Sequence, residues 1–192
     1  DLAAFGLGSL KPLKVEPVPG RFKSPIGIRL DFAPESLSDG AHPCPLFAGR
    51  HIRGVRNGDS PQWLKDRLTA IGLRPISVLV AITNFFTYDL ARPLHVFDAA
   101  KVKGDIRARP AKAGETLAAL NGKTYALEAG MTVIADEAGP EALAGIIGGE
   151  HSGCTESTTG VFLEAAYFDP IRTAATGRRL EILSDARFRF ER

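Results

Sequence analysis

Glu164 is a carboxylate inside an apolar run, VFLEAAYF at 161–168. A charge in such a setting is costly to bury unless something pairs with it. In a strand, Phe162, Glu164 and Ala166 share one face. If that face lines a pocket, the carboxylate accepts a hydrogen bond from a ligand hydroxyl. A salt bridge to one of the many arginines, or exposure on an outer face, fits the same pattern. Just upstream, AGIIGGEHSG at 144–153 gathers Gly145, Gly148 and Gly149. Such a backbone bends where side chains cannot and lets a ligand approach closely. Its freed N–H groups can hold a carbonyl oxygen or a developing oxyanion. Alone, the same glycines read first as a bulge or hairpin turn between strands.

His95 stands between Leu94 and Val96, just after Arg92-Pro93. A lone histidine is more often structural than catalytic, but a loop setting favours function. Thr83 and Asn84 sit within the apolar segment ITNFF and need partners if buried. They either cap a neighbouring loop or grip the ribose or amino group of a substrate. Other chemistries are excluded by their missing signatures. The glycine cluster lacks the Gly-Lys-Ser/Thr ending of a phosphate loop. No strand–helix pair surrounds it as a dinucleotide fingerprint requires. His51, Cys44, His151 and Cys154 do not fall into a zinc spacing, so no metal site is expected. No nucleophile elbow with a Ser-His-Asp order is present.

These residues need elements to hold them. Residues 25–33 alternate Ile26, Ile28, Leu30 and Phe32 and predict a half-buried strand, followed by a loop over 34–45. FAGRHIRGVRNG predicts another strand with Ile52 and Val55 inward. Asp59-Ser60-Pro61 predicts a helix start, with a side-chain cap and Pro at the first helical position. Trp63, Leu64, Leu68 and Ile71 follow at helical spacing, and Gly72 and Pro75 end the helix. Ser77 could cap a second helix over 77–90, with Val78, Ile82, Phe86 and Leu90 on related faces. The β-branched run VLVAIT argues for a strand instead. From 104 to 164, six short runs between turn residues predict a largely antiparallel sheet. Asn121-Gly122 signals a type I′ hairpin. Asp169-Pro170 starts a helix to about Arg178, and a last helix begins near Ser184-Asp185. The fold class is α+β: a largely antiparallel sheet with packed helices.

At 192 residues the chain has room for one substantial core or two small ones. The net charge of +2, from 24 basic and 22 acidic residues, does not by itself mark a nucleic-acid binder. Two cysteines, Cys44 and Cys154, read as reduced thiols in a cytosolic protein. No apolar stretch is long enough to cross a bilayer, and no signal core opens the chain. The missing initiator Met and the abrupt end at FRFER predict a piece of a longer polypeptide. Residues 1–24, with three prolines between Lys11 and Ser24, read as the tail of a preceding module and a linker.

Together, ITN (82–84), RPLHVFD (92–98), NGKT (121–124), VIAD (133–136), GIIGGEHSG (145–153), the glutamate of LEAAYF and SDARFRFER (184–192) resemble the bacterial phenylalanyl-tRNA synthetase beta subunit. Their order matches its B3/B4 region over residues 25–192, with B3 at about 25–103 and B4 at about 104–192. The resemblance implies a B3/B4-like fold and an editing site that hydrolyses tyrosine wrongly esterified to the phenylalanine tRNA. It places that site on Thr83, Asn84 and His95 as the catalytic group. Glu164, Gly145, Gly148, Ser184 and Ala186 bind substrate, with Glu164 reading the tyrosine hydroxyl.

The resemblance further implies tRNA(Phe), an alpha subunit in a heterotetramer and tyrosine as partners, no membrane, and a cytoplasmic setting. ATP and magnesium belong to the parent enzyme's catalytic site; no cofactor is expected in this piece. Three departures stand out. Ala81 replaces an Asp before the Thr-Asn pair, Ser77-Val78 an Asn pair, and Arg187-Phe188 a Ser-His pair. Two other readings keep the fold: a non-catalytic scaffold binding tRNA or a subunit, and a free-standing deacylase of another aminoacyl-tRNA.

Overall fold

The computed structural model describes residues 3–12, 14–33 and 41–192. Most of the loop predicted over 34–45 therefore lies outside the described residues. In chain order the elements are β1 (Ile28–Leu30), β2 (Leu46–Arg53), α1 (Gln62–Ala70), α2 (Val78–Asp89), β3 (His95–Asp98), β4 (Ile106–Pro110), β5 (Thr116–Ala118), β6 (Thr124–Ala126), β7 (Thr132–Ala135), β8 (Pro140–Leu143), β9 (Ile147–Gly148), β10 (Gly160–Tyr167), α3 (Pro170–Arg179) and α4 (Asp185–Phe190). The strands form a five-stranded sheet β1-β4-β7-β8-β9, a three-stranded sheet β2-β10-β3 and the hairpin β5-β6. Every pairing is antiparallel except β1 with β4. The class is α+β, as the turn-separated runs indicate. The regions 25–103 and 104–192 share both larger sheets: β1 lies beside β4, and β10 fills the space between β2 and β3.

β10 is the long central strand because it has apolar residues for both faces. Phe162, Glu164 and Ala166 all point inward and are buried. Phe162 and Ala166 join Phe97 of β3 and meet Ile106, Ala108, Ile134 and Ala142 of the five-stranded sheet in one core. Phe168 and Phe190 close the same core from the helical side. Each buried phenylalanine contributes about 1.5–3 kcal/mol, so this packing dominates the local energetics. Glu164 is thus embedded in a wall of hydrocarbon between two sheets.

Some expected faces turn outward. In β1 and β2, Ile28, Leu30 and Ile52 are exposed, while Ile26 is buried and Val55 partly so. β1 and β2 each lie at a sheet edge. In α1 only Leu64 and Leu68 are buried; Trp63 and Ile71 face out. The helix between 77 and 90 forms, but it buries Leu79, Ala81 and Thr87. Ile82, Phe86 and Leu90 of the anticipated face are exposed. The buried stripe follows the small contact with α1, where Ala81 packs on Leu64 and Leu68.

Helix ends follow the predicted chemistry where a side chain can reach. The Asp169 carboxylate accepts the Arg172 N–H, and the Ser184 hydroxyl accepts the Arg187 N–H. Ser60 and Ser77 do not cap. Pro61 occupies the N-cap position of α1, and the Ser60 hydroxyl is buried without a partner. At α2, Asn57 reaches in from the preceding loop, and its Oδ1 accepts the Leu79 N–H. Gly72 at φ +82° ends α1 as expected. The Leu73 N–H bonds Leu68 O and the Gly72 N–H bonds Thr69 O, a Schellman pair.

The Asn121-Gly122 turn is a correction. Only Gly122 has positive φ, its N–H bonds Ala119 O, and the Ala119 N–H bonds Lys123 O. This is a type I turn followed by a glycine bulge, not the two-residue type I′ turn.

Candidate active site

Strand pairing sets the centre of the site. β10 and β3 run antiparallel with Glu164 directly opposite His95. Opposed residues start with Cβ atoms about 4.5–5.5 Å apart on the same face of the sheet. The Glu164 side chain is buried, and its Oε2 has no hydrogen-bond partner among the described residues. Burial therefore pushes its carboxyl up to about 8, so the acid holds its proton at neutral pH. His95 retains a partial opening onto the cavity but is otherwise walled in by protein. Burial pulls its imidazole down to about 4, and the ring is neutral. The site thus holds an uncharged acid beside an uncharged imidazole. The Phe97 ring meets His95 edge-on at 4.5 Å and fixes its orientation.

A cavity of about 230 Å³ opens from this pair. Glu164, His95, Gly145, Gly148 and Ala186 line it, so the structure brings five of the eight sequence-predicted residues together. Gly145 lies in the turn between β8 and β9 at φ +70°, pressed against the Phe168 and Phe190 rings. No backbone acceptor takes its N–H among the described residues, whereas the Ile146 N–H bonds Leu143 O and the Gly149 N–H bonds Glu141 O. The glycine run is therefore both a hairpin turn and a wall of the cavity.

Gly148 is required by close approach. A Cβ there would overlap His95 Cε1 and crowd Leu120. Gly148→Ala is accordingly expected to displace the imidazole, narrow the cavity and cost about 1–3 kcal/mol. Paired urea melts of the two proteins check it, and an unchanged midpoint refutes the contact.

The remaining three residues stand outside the lining. The Thr83 hydroxyl donates to Val80 O one turn back on α2. Asn84 lies on the same helix, half-buried, with no side-chain hydrogen bond among the described residues. The Ser184 hydroxyl donates to Ile146 O at 2.6 Å while capping α4. It hooks the start of α4 to the glycine turn and so positions Ala186 and Phe190, which do line the cavity.

Two departures from the family pattern acquire reasons. An Asp at position 81 would sit in the α1–α2 contact, where Ala81 is fully buried. Arg187 turns away from the cavity, packs over Gly177 and donates to Ile182 O and Glu191.

Several lining residues were not singled out from the sequence: Pro93, Leu94, Ile134, Ala142 and Phe190. They are ordinary apolar residues, and only folding brings them together. Cys44, read from the sequence only as a reduced thiol, stands outside that lining. It is fully buried, and burial together with the nearby Glu164 carboxyl pushes its thiol up to about 12. Neither cysteine forms a disulfide.

A buried acid, a histidine and a glycine turn around a side-chain-sized cavity, held between a largely antiparallel five-stranded sheet and a three-stranded antiparallel one, describe the class of domain. Residues 43–192 match the family model described as the B3/4 domain, and the chain belongs to that family. Over its whole length it is 84% identical to the phenylalanine–tRNA ligase beta subunit of Paramagnetospirillum magneticum and 62% identical to that of Cereibacter sphaeroides. All of this chain is covered in both matches, but only 24% and 23% of those proteins, so the chain spans about a quarter of their length. An N-terminal fragment of the phenylalanyl-tRNA synthetase beta subunit from Pyrococcus horikoshii shares the fold, with a TM-score of 0.54 at 17% identity. That match covers 92% of this chain and 54% of the other.

Proposed function

We propose that this domain is the proofreading site of a phenylalanine–tRNA ligase and hydrolyses tyrosine wrongly attached to tRNA(Phe). The observation that carries the reading is that Glu164, a lining residue of a cavity sized for one amino-acid side chain, has a buried Oε2 without a partner among the described residues. A buried polar group without a partner calls for an explanation, and a ligand hydroxyl supplies one. A tyrosine ring fits the apolar walls while its phenol bonds the carboxyl. A phenylalanine ring leaves the carboxyl unsatisfied, at a cost of about 1–3 kcal/mol. Because the acid is already neutral, the cost is that of a missing hydrogen bond rather than of a stranded charge. The scaffold alternative leaves the buried acid without a role.

The chemistry asks little of the protein. An aminoacyl ester is already activated, so positioning, a water and a hydrogen-bond donor for the carbonyl suffice. The free Gly145 N–H is the donor in this scheme. His95, with its proton affinity lowered by burial, is a poor base and orients the water instead. Asn84 on α2 would meet the ribose or the amino group of the ester. Thr83, bonded within α2, holds that helix turn.

The tRNA and an alpha subunit are the proposed partners, and ATP and magnesium serve ligation in parts of the enzyme beyond this chain. A cytosolic setting fits a translation enzyme with two free thiols, and among the described residues no helix is long and apolar enough to cross a membrane.

Soaking with tyrosine and, separately, with phenylalanine tests the reading. Tyrosine is expected in the cavity with its phenol on Glu164. Equal occupancy by both amino acids, or by neither, removes the basis for it.

A further inference from the structure

Two walls of the cavity come from different parts of the chain. One is α4, through Ala186 and Phe190; the other is the segment leaving α2, through Pro93, Leu94 and His95. His95 is held by pairing with β10, but Pro93 and Leu94 lie ahead of that pairing. Between α2 and Pro93 the chain reverses at Ala91, a non-glycine residue at φ +51°. Such a conformation costs about 1–2 kcal/mol and persists only where its surroundings enforce it.

Part of the enforcement is local, since the Arg92 N–H bonds Phe86 O across Ala91 at 3.4 Å, and part comes from α4. The last carbonyls of a helix lack intrahelical donors. At the end of α2, Phe86 O accepts the Leu90 N–H, but Thr87 O accepts Nε of Arg189 at 2.9 Å. The same guanidinium donates through Nη1 to Asp185 O at 2.8 Å and lies 4.2 Å from the centre of the Tyr88 ring. The Tyr88 hydroxyl donates to Asp185 Oδ1 at 2.9 Å, closing the group. The Arg189 side chain is only 16% exposed, so its bond to Thr87 O is partly shielded from water, whereas the Asp185 and Tyr88 end of the group is open to solvent. A cation at a helix C-terminus also complements the helix dipole.

We propose that Arg189 is a positioning residue that caps α2 from α4 and so sets the separation of the two cavity walls. It touches no substrate. Its planar fork bonds one helix through Nε and the other through Nη1, a geometry lysine cannot reproduce. The consequence for function rests on the proofreading reading above. A set separation keeps the ring of a bound side chain in register with Glu164, and a loosened one admits phenylalanine as readily as tyrosine.

Arg189→Lys in the intact ligase tests this with two measurements. Hydrogen exchange of the amides of Ala91, Arg92, Leu94 and His95 is expected to quicken about tenfold, the equivalent of one charge-assisted hydrogen bond. The ratio of kcat/KM for the tyrosyl over the phenylalanyl ester is expected to fall about tenfold, as misplacement of a bound group does. A merely structural role would slow both esters alike and leave that ratio in place. Unchanged exchange at 91–95 overturns the proposal, and so does faster exchange with an unchanged ratio. If the unaltered ligase hydrolyses neither ester, the proofreading reading fails, and the exchange result decides the positioning claim alone. Should R189K melt early, Tyr88→Phe removes one hydroxyl donor from the same group and is read by the same two measurements.

Discussion

Glu164→Ala in the intact ligase is expected to lower the preference for tyrosyl- over phenylalanyl-tRNA(Phe) hydrolysis by about 10- to 100-fold, the worth of one buried hydrogen bond to a ligand hydroxyl. Glu164 lines the cavity opposite His95, and its Oε2 has no partner among the described residues. In the proofreading reading, alanine removes the group that rewards the phenol and leaves the apolar walls that accept either ring. Glu164→Gln separates two accounts of that reward. Burial holds the acid in its protonated form at neutral pH, and glutamine has the same shape, one acceptor and a donor. E164Q is therefore expected to keep most of the preference. Had an ionised carboxylate been the reader, glutamine would lose nearly as much as alanine. Single-turnover hydrolysis of the two esters by wild type, E164A and E164Q decides between them. An E164A enzyme with the wild-type preference would remove Glu164 from the site altogether.

The same pair makes stability depend on pH. The Glu164 carboxyl is raised from 4.5 to about 8, so its contribution is complete below pH 4.5 and is lost as pH rises through about 8. The His95 imidazole is lowered from 6.5 to about 4, so its contribution is complete above pH 6.5 and is lost as pH falls through about 4. Between 4.5 and 6.5 the two slopes oppose each other. Above 6.5 only the carboxyl remains, and the chain is expected to lose about 2 kcal/mol between pH 6.5 and 8. Urea unfolding at several pH values, followed at the single tryptophan Trp63, measures it. E164Q should flatten this limb of the profile. A limb that survives the substitution assigns the dependence to other groups.

Much of the fold was legible because it rests on short-range chemistry. The hydroxyl and carboxylate caps at Ser184 and Asp169, the glycine that ends α1 and the turn-separated runs after residue 104 act within a few residues of themselves. The errors arose where a distant partner intervened. Ser77 yields its capping role to Asn57, twenty residues upstream, which no local pattern announces. The buried stripe of α2 follows α1 rather than the largest apolar residues, so Ile82 and Phe86 are left outside. At Asn121-Gly122 the dipeptide was read correctly as a hairpin, but Ala119 pairs with Lys123 and so sets a three-residue loop.

The site divides along the same line. The residue types on the chain already carried the acid, the imidazole and the flexible glycine backbone, and the alternation in β10 already placed Glu164 beside Phe162 and Ala166. Those are properties of covalent structure and of a period-two strand, and they need no knowledge of neighbours. Tertiary structure alone decided that the acid has no partner, that both titrating groups are neutral, and that Thr83 and Asn84 stand apart from the cavity. Desolvation depends on every atom packed around a group. Here those atoms come from two sheets, one helix and the connections between them, scattered over more than a hundred residues, which no local reading of the chain can sum.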